Sequence, residues 1–188
     1  MLREVCQSDT IYAIEAVADT GFVHDNLQLT APGSWINRGG GGLGWSGGGS
    51  LGIKLAADAE AGRQDKGKFV AQTVGDGTYL PTVPGSVYWI PKRYKIPVLT
   101  MVLSNKDRVP NGLGSKATNK EINISFDPAP DYAGSALAAA AGDIEGLRVS
   151  QVNELEGVSK QAVSKVQAGK SAVVDCTVVA DCQGRTKE

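Results

Sequence analysis

Histidine is almost missing from this sequence: His24 is the only one in 188 residues. Mechanisms built on a histidine base or a histidine-rich metal site are therefore disfavoured. The His24-Asp25 pair sits in a short helical stretch, where such pairs usually cap or decorate a surface. Cysteine is also scarce. Cys6, Cys176 and Cys182 make an odd count with no CxxC spacing, which suits free thiols in a reducing compartment. Cys176 falls in an apolar strand pattern and reads as buried filler. A charge of one sign is lacking too. The net charge is -1, no run of lysine and arginine appears, and basic residues are not interleaved with aromatics. Electrostatic binding to nucleic acid or to an anionic membrane is excluded on that ground. Long apolar runs are absent. Residues 96–103 and 135–141 are strongly apolar but too short to span a bilayer. The first nine residues, MLREVCQSD, lack the apolar core of a secretion signal, so an intracellular protein is expected.

What is present is ordinary globular material, 41% apolar and 21% charged. The length suits one domain over residues 1–188 with a proper core. Strands are expected over 11–17, 68–74, 97–103 and 172–179, with a short one ending at Val149. Helices are expected over 51–61, 131–141 and 154–167, the last from the stripe Leu155, Val158, Ala162, Val163 and Val166. Residues 22–29 read as a short helix or turn. Residues 78–94 read as an irregular helix interrupted by Pro81, Pro84 and Pro91. Strands separated by helix-length segments predict an α/β fold, a mostly parallel sheet with helices on both faces. Residues 105–130 are polar, rich in glycine and proline, and read as a long loop. Trp89 is expected in the core. For Trp45, ring stacking on a ligand and plain packing stay open.

The stretch GGGGLGWSGGG, residues 39–49, has eight glycines in eleven positions. It could be a linker, or a turn where backbone must come close to something. Its flanks favour the turn: Trp35 and Ile36 precede it and an apolar helical stretch follows. Glycine at a helix start permits close approach of an anion or cofactor. Two strand ends carry further groups, Gly75-Asp76-Gly77-Thr78 and Ser104-Asn105. A carboxylate and an amide oxygen at neighbouring strand ends form a hard, oxygen-only pair that suits Mg²⁺. Gly75 and Gly77 let backbone N–H groups reach phosphate.

Gly75-Asp76-Gly77 followed after an apolar strand by Ser104-Asn105 resembles the GDG…NN signature of thiamine-diphosphate enzymes. Gly41-Gly42-Leu43-Gly44-Trp45, ahead of a helix, resembles the segment preceding that signature in relatives of acetolactate synthase and benzoylformate decarboxylase. From about Ile11 to Val179 the chain looks like the C-terminal, diphosphate-binding domain of that family. The resemblance implies that Asp76 and Asn105 coordinate Mg²⁺ through side chains and Asp107 through its backbone carbonyl. It implies that Gly75, Gly77 and Thr78 contact the diphosphate of thiamine diphosphate. Leu43 would prop the thiazolium ring, and Gly41, Gly42 and Gly44 would admit the aminopyrimidine. Ser104 stands where the family usually has a first asparagine. Lys106-Asp107-Arg108 stands where glycine and an aromatic usually follow.

The implied function is that of a thiamine-diphosphate- and Mg²⁺-binding domain of an acetolactate synthase-like enzyme. It would act on 2-oxo acids by decarboxylation or acyl transfer. Family members take their activating glutamate from a pyrimidine-binding domain, normally across a subunit interface. No motif in these 188 residues matches it, and neither Glu15 nor Glu60 is promoted to that role. A pyrimidine-binding partner or a homo-oligomer is therefore expected, and no catalytic residue is assigned. Two alternatives remain: a truncated or decayed relative that folds and still binds the cofactor, and a generic nucleotide-binding α/β module using the glycine turn and Asp76.

Overall fold

The computed structural model describes residues 2–40, 42–64, 66–105, 126 and 128–178, with nothing said of the Ala18 side chain. Six strands form one all-parallel sheet: β1 (Ile11–Glu15), β2 (Trp35–Asn37), β3 (Val70–Gly75), β4 (Leu99–Ser104), β5 (Glu145–Val149) and β6 (Ala172–Thr177). Their spatial order is β2-β1-β3-β4-β6-β5. The central strands are apolar nearly throughout because both of their faces are covered, as parallel sheets require. Every residue of β3 is buried.

Side-chain alternation divides the core in two. Tyr12, Ile14, Ala71, Leu99, Met101, Val174 and Cys176 point to one face. There they meet α1 (Leu2–Val5), α2 (Thr20–Leu27) and α7 (Val152–Gln167), whose Ala162, Val163 and Val166 are buried. On the other face Val74, Val102 and Val173 pack with Tyr79, Tyr88, Tyr132 and Ala136. That face is covered by α3 (Trp45–Glu60), the single turn α4 (Asp76–Tyr79), α5 (Pro84–Tyr94) and α6 (Tyr132–Ala139). Glu154 closes a capping box at the start of α7, accepting from the Gln151 N–H at 3.1 Å. Asp131 caps α6 by accepting from the Gly134 N–H at 2.8 Å.

The expected α/β architecture is therefore observed, with several differences of detail. α3 starts at Trp45, six positions before the expected Leu51, so Gly47, Gly48 and Gly49 are helical. The 78–94 segment is three pieces. A 3-10 turn (Leu80–Thr82) separates α4 from α5, and the break comes at Val83, which is left-handed with φ 58°. Pro84 opens α5, where a missing N–H costs nothing, while Pro91 stays inside the helix. α1 and the three-residue β2 were too short to register as periodic patterns. Trp89 is 50% exposed, not in the core. Most of the expected 105–130 loop lies outside the described residues.

α3 also carries a buried ion pair. Lys54 Nζ donates to Asp58 Oδ1 at 2.6 Å and to the Gly67 carbonyl at 3.3 Å, while Asp58 Oδ1 accepts from the Gly67 N–H at 2.8 Å. One turn of helix thus clamps the chain just before β3. A Cβ at Gly67 would fall 2.2 Å from the Ala57 backbone, so only glycine fits under the clamp.

Candidate functional site

The parallel ladders bring four strand ends into a row. Glu15 pairs with Val74, Gly75 with Leu103, and Ser104 with Thr177. Ala16, Asp76, Asn105 and Val178 therefore follow one another along the carboxyl edge of the sheet. A Cβ at Gly75 would lie 3.5 Å from the Ala16 carbonyl oxygen, so the ends of β1 and β3 are side by side. After β1 the chain crosses to the α2 face, and after β3 it crosses to the α5 face. The strand order reverses between them, which is where open α/β sheets form their ligand crevice. Val17, just past β1, adopts a left-handed φ of 49°. A β-branched residue rarely accepts that conformation, and such outliers concentrate at functional sites.

The glycine turn enters this crevice from the β2 side. Gly42 has nothing within 4 Å of where a Cβ would stand. Leu43 is 38% exposed, a large apolar side chain left uncovered at the crevice. Gly44 differs: its φ is 97°, and a Cβ there would fall 2.5 Å from the carbonyl carbon and oxygen of Pro81. The glycine turn is thus seated on the 3-10 turn that follows α4. The Trp45 ring lies over its own helix and fills the space a side chain at Gly49 would occupy. Gly41 lies outside the described residues.

At the end of β3, Gly75 is extended, at φ -73° and ψ 153°, and Asp76 begins α4. Asp76 is buried, and its Oδ1 accepts from the Gly77 N–H at 2.7 Å. Thr78 is buried beside it, and Asn105 follows β4 on the neighbouring strand. Asp107 lies outside the described residues. Behind Asp76 stand three tyrosines. Tyr79 makes an edge contact with Tyr132 at 5.4 Å and stacks near Tyr88 at 6.0 Å. Burial pushes the Tyr79 phenol up to about 12. Burial, then the charges of Asp76 and Asp175, raise that of Tyr132 further. Asp175, on β6, accepts from Arg148 Nε at 3.3 Å, and burial raises its carboxyl above the ordinary value despite that guanidinium.

A residue that sequence reasoning set aside ties these parts together. Glu15 is 2% exposed. Its Oε1 accepts from the Gly44 N–H at 2.8 Å and its Oε2 from the Ser46 N–H at 2.9 Å. The first N–H groups of α3 have no cap from a neighbouring side chain, and this distant carboxylate takes them. The Ser46 hydroxyl in turn accepts from Gln72 Nε2 at 2.8 Å, and Gln72 Oε1 accepts from the Thr100 hydroxyl at 2.9 Å. Glu15, Ser46, Gln72 and Thr100 are all buried.

Other polar features lie elsewhere. His24 is exposed, contacting Asp25 at 3.3 Å and the edge of Trp35. Cys6 and Cys176 are buried free thiols, and Cys182 is outside the described residues. A cavity of about 610 Å³ opens at the opposite, amino end of the strands, where Lys54, Gly67, Phe69 and Pro97 line it. Among the described residues no helix is long and apolar enough to cross a membrane.

Comparison with known proteins agrees with this layout. The family model for the thiamine pyrophosphate enzyme, C-terminal TPP binding domain, matches residues 18–176. The chain belongs to this family. Among solved structures it resembles benzoylformate decarboxylase from Polynucleobacter necessarius, with a TM-score of 0.75 at 17% identity over 96% of this chain and 32% of that one. It also resembles a Mycobacterium smegmatis protein described as a thiamin diphosphate-dependent enzyme, with a TM-score of 0.69 at 24% identity over 95% of this chain and 30% of that one. The chain thus spans about a third of the length of these two neighbours. At such identities the likeness shows the fold.

The donor set at the crevice fits a thiamine diphosphate–Mg²⁺ group. Among the described residues no three His, Cys, Asp or Glu side chains cluster as a metal cage. A buried carboxylate and an amide oxygen on adjacent strand ends suit instead an ion that keeps phosphate and water oxygens in its octahedron. The open space at Gly42 and the uncovered Leu43 leave room for a ring.

Proposed function

We propose that this chain binds thiamine diphosphate with Mg²⁺ across the β1–β3 crevice, as one part of an enzyme acting on 2-oxo acids. The observation that carries the reading is Asp76. It is a buried carboxylate at the point where the strand order reverses, with Asn105 at the end of the next strand. In this reading the side chains of Asp76 and Asn105 hold the metal, joined by the backbone carbonyl of Asp107. Gly75, Gly77 and Thr78 contact the diphosphate. Gly41 and Gly42 give backbone access to the aminopyrimidine, Gly44 orders the turn by packing on Pro81, and Leu43 supports the thiazolium ring.

Bound there, thiamine diphosphate would supply the nucleophilic carbon for acetolactate synthase-like acyl transfer or for 2-oxo acid decarboxylation. The residues of this chain bind and orient it. Glu15, the nearest candidate by position for activating the cofactor, is fully engaged with two backbone N–H groups. In this reading the activating glutamate comes from a pyrimidine-binding domain, on another part of a longer protein or on a partner chain.

The test is cofactor binding followed by tryptophan fluorescence while Mg²⁺ is varied. Asn105→Ala should raise the Mg²⁺ needed by about tenfold or more, in line with a lost metal ligand or its supporting contact. An unchanged Mg²⁺ requirement would remove Asn105 from the metal site.

A further inference from the structure

Glu15 is a buried carboxylate with no cation among the described ion pairs, and both of its oxygens are spent on the N–H groups that open α3. The amino end of a helix of 16 residues carries a partial positive charge and unsatisfied donors. In many phosphate-binding folds an external phosphate takes that place. Here an internal anion already fills it. A diphosphate approaching the same donors would find them occupied and would meet a fixed like charge in a low-dielectric setting. A neutral or cationic ring meets no such penalty.

We propose that Glu15 is a positioning residue that gives the crevice its polarity. It keeps the anionic tail of the ligand off the glycine turn and on the 75–78 turn, and it fixes Gly42 and Leu43 for the ring. This rests on the thiamine diphosphate reading. The buried Ser46–Gln72–Thr100 hydrogen bonds extend the device. They tie the first turn of α3 to β3 and β4, the two strands that end at Asp76 and Asn105. Gly44 seated on Pro81 adds a direct contact between the ring-side turn and the chain just after the 75–78 turn. The two halves of the site are therefore set relative to one another by Glu15 and its neighbours.

The experiment compares thiamine diphosphate with magnesium pyrophosphate, which has the tail and no ring. Calorimetric titrations are run on the full chain, on Glu15→Ala and on Glu15→Gln, which keeps the volume and removes the charge. Thiamine diphosphate affinity should fall about tenfold or more in both variants. Pyrophosphate affinity should stay within about twofold or tighten, because the start of α3 becomes open to anions. Equal losses for both ligands would mean that Glu15 merely holds the fold, and would overturn the proposal while leaving the cofactor reading intact. Wild-type chain that binds neither ligand would overturn both. A wild-type measurement stands apart from the folding of any variant: pyrophosphate should shift the backbone amide resonance of Gly77 and leave those of Gly44 and Ser46 in place. Shifts at Gly44 and Ser46 would put the anion where Glu15 is said to exclude it.

Discussion

Replacing Gly44 by alanine perturbs the seat of the glycine turn without touching any ionisable group. Two costs follow from the structure. The residue has φ 97° and ψ 6°, a left-handed conformation that costs an L-residue about 1–2 kcal/mol. The new methyl would also stand 2.5 Å from the Pro81 carbonyl carbon and oxygen and 2.8 Å from the Thr82 nitrogen. These are backbone atoms that cannot rotate aside, and forced overpacking of this kind costs about 1–3 kcal/mol. Loss of glycine's freedom in the unfolded chain returns about 0.4–1 kcal/mol. The net destabilisation is then about 2–4 kcal/mol. For a chain of this length each kcal/mol lowers Tm by about 2–4 °C, so a drop of about 4–16 °C is expected in a thermal melt. Gly42→Ala is the matched control. It adds the same methyl two residues earlier in the same turn, where no atom lies within 4 Å and φ is not left-handed. Its Tm should change by less than about 2 °C, since substitutions free of such features are nearly neutral. Equal melting temperatures for the two variants would refute the reasoning, because they would deny the contact between Gly44 and Pro81.

Further outcomes follow from the buried groups. Lys54→Met leaves Asp58 buried without its ammonium partner and should cost about 3 kcal/mol in urea denaturation; a loss below about 1 kcal/mol would contradict the clamp on Gly67. Asp175 has a folded-state pKa raised above its ordinary 3.8, so the native state holds that proton more tightly than the unfolded chain. Its contribution therefore declines as pH rises from that ordinary value to the raised one, and is constant above it. Asp175→Asn removes the decline. Its stability relative to wild type should rise as pH increases above that ordinary value, and a flat or falling difference in urea midpoints would contradict the account. Burial pushes the Cys6 thiol up to about 11 and the Cys176 thiol up to about 12. In a Cys182→Ser chain neither should react with an aromatic disulfide reagent near pH 8 until denaturant is added.

The sheet was legible because its signal is local. β3, β4 and β6 are apolar runs of strand length, and α7 carries a clear helical stripe, so each announces itself within a short window. The 75–78 and 104–105 strand ends were legible as a motif for the same reason. Glu15 was not. Its two partners are 29 and 31 positions away, and nothing around it separates a strand-ending glutamate from a solvent-facing one. One hint was available: α3 opens with Gly44 and has no Ser, Thr, Asp or Asn to cap it, so its donors had to be met from elsewhere. The glycine run also held two kinds of position that composition cannot separate. Gly44 is glycine because Pro81 lies against it, whereas Gly42 faces open space. Trp89 read as core because tryptophan usually packs, yet it stands on the outer side of α5, half exposed.

The central claim is that the crevice beside Asp76 holds thiamine diphosphate through Mg²⁺. Calorimetric titration of thiamine diphosphate into the full chain, with and without Mg²⁺, and into Asp76→Ala, tests it most directly. The account predicts binding that requires Mg²⁺ and is lost in Asp76→Ala, while the variant keeps the circular dichroism of the folded chain. Binding that is indifferent to Mg²⁺ and to Asp76, or a folded wild-type chain that takes up no cofactor at all, would contradict it.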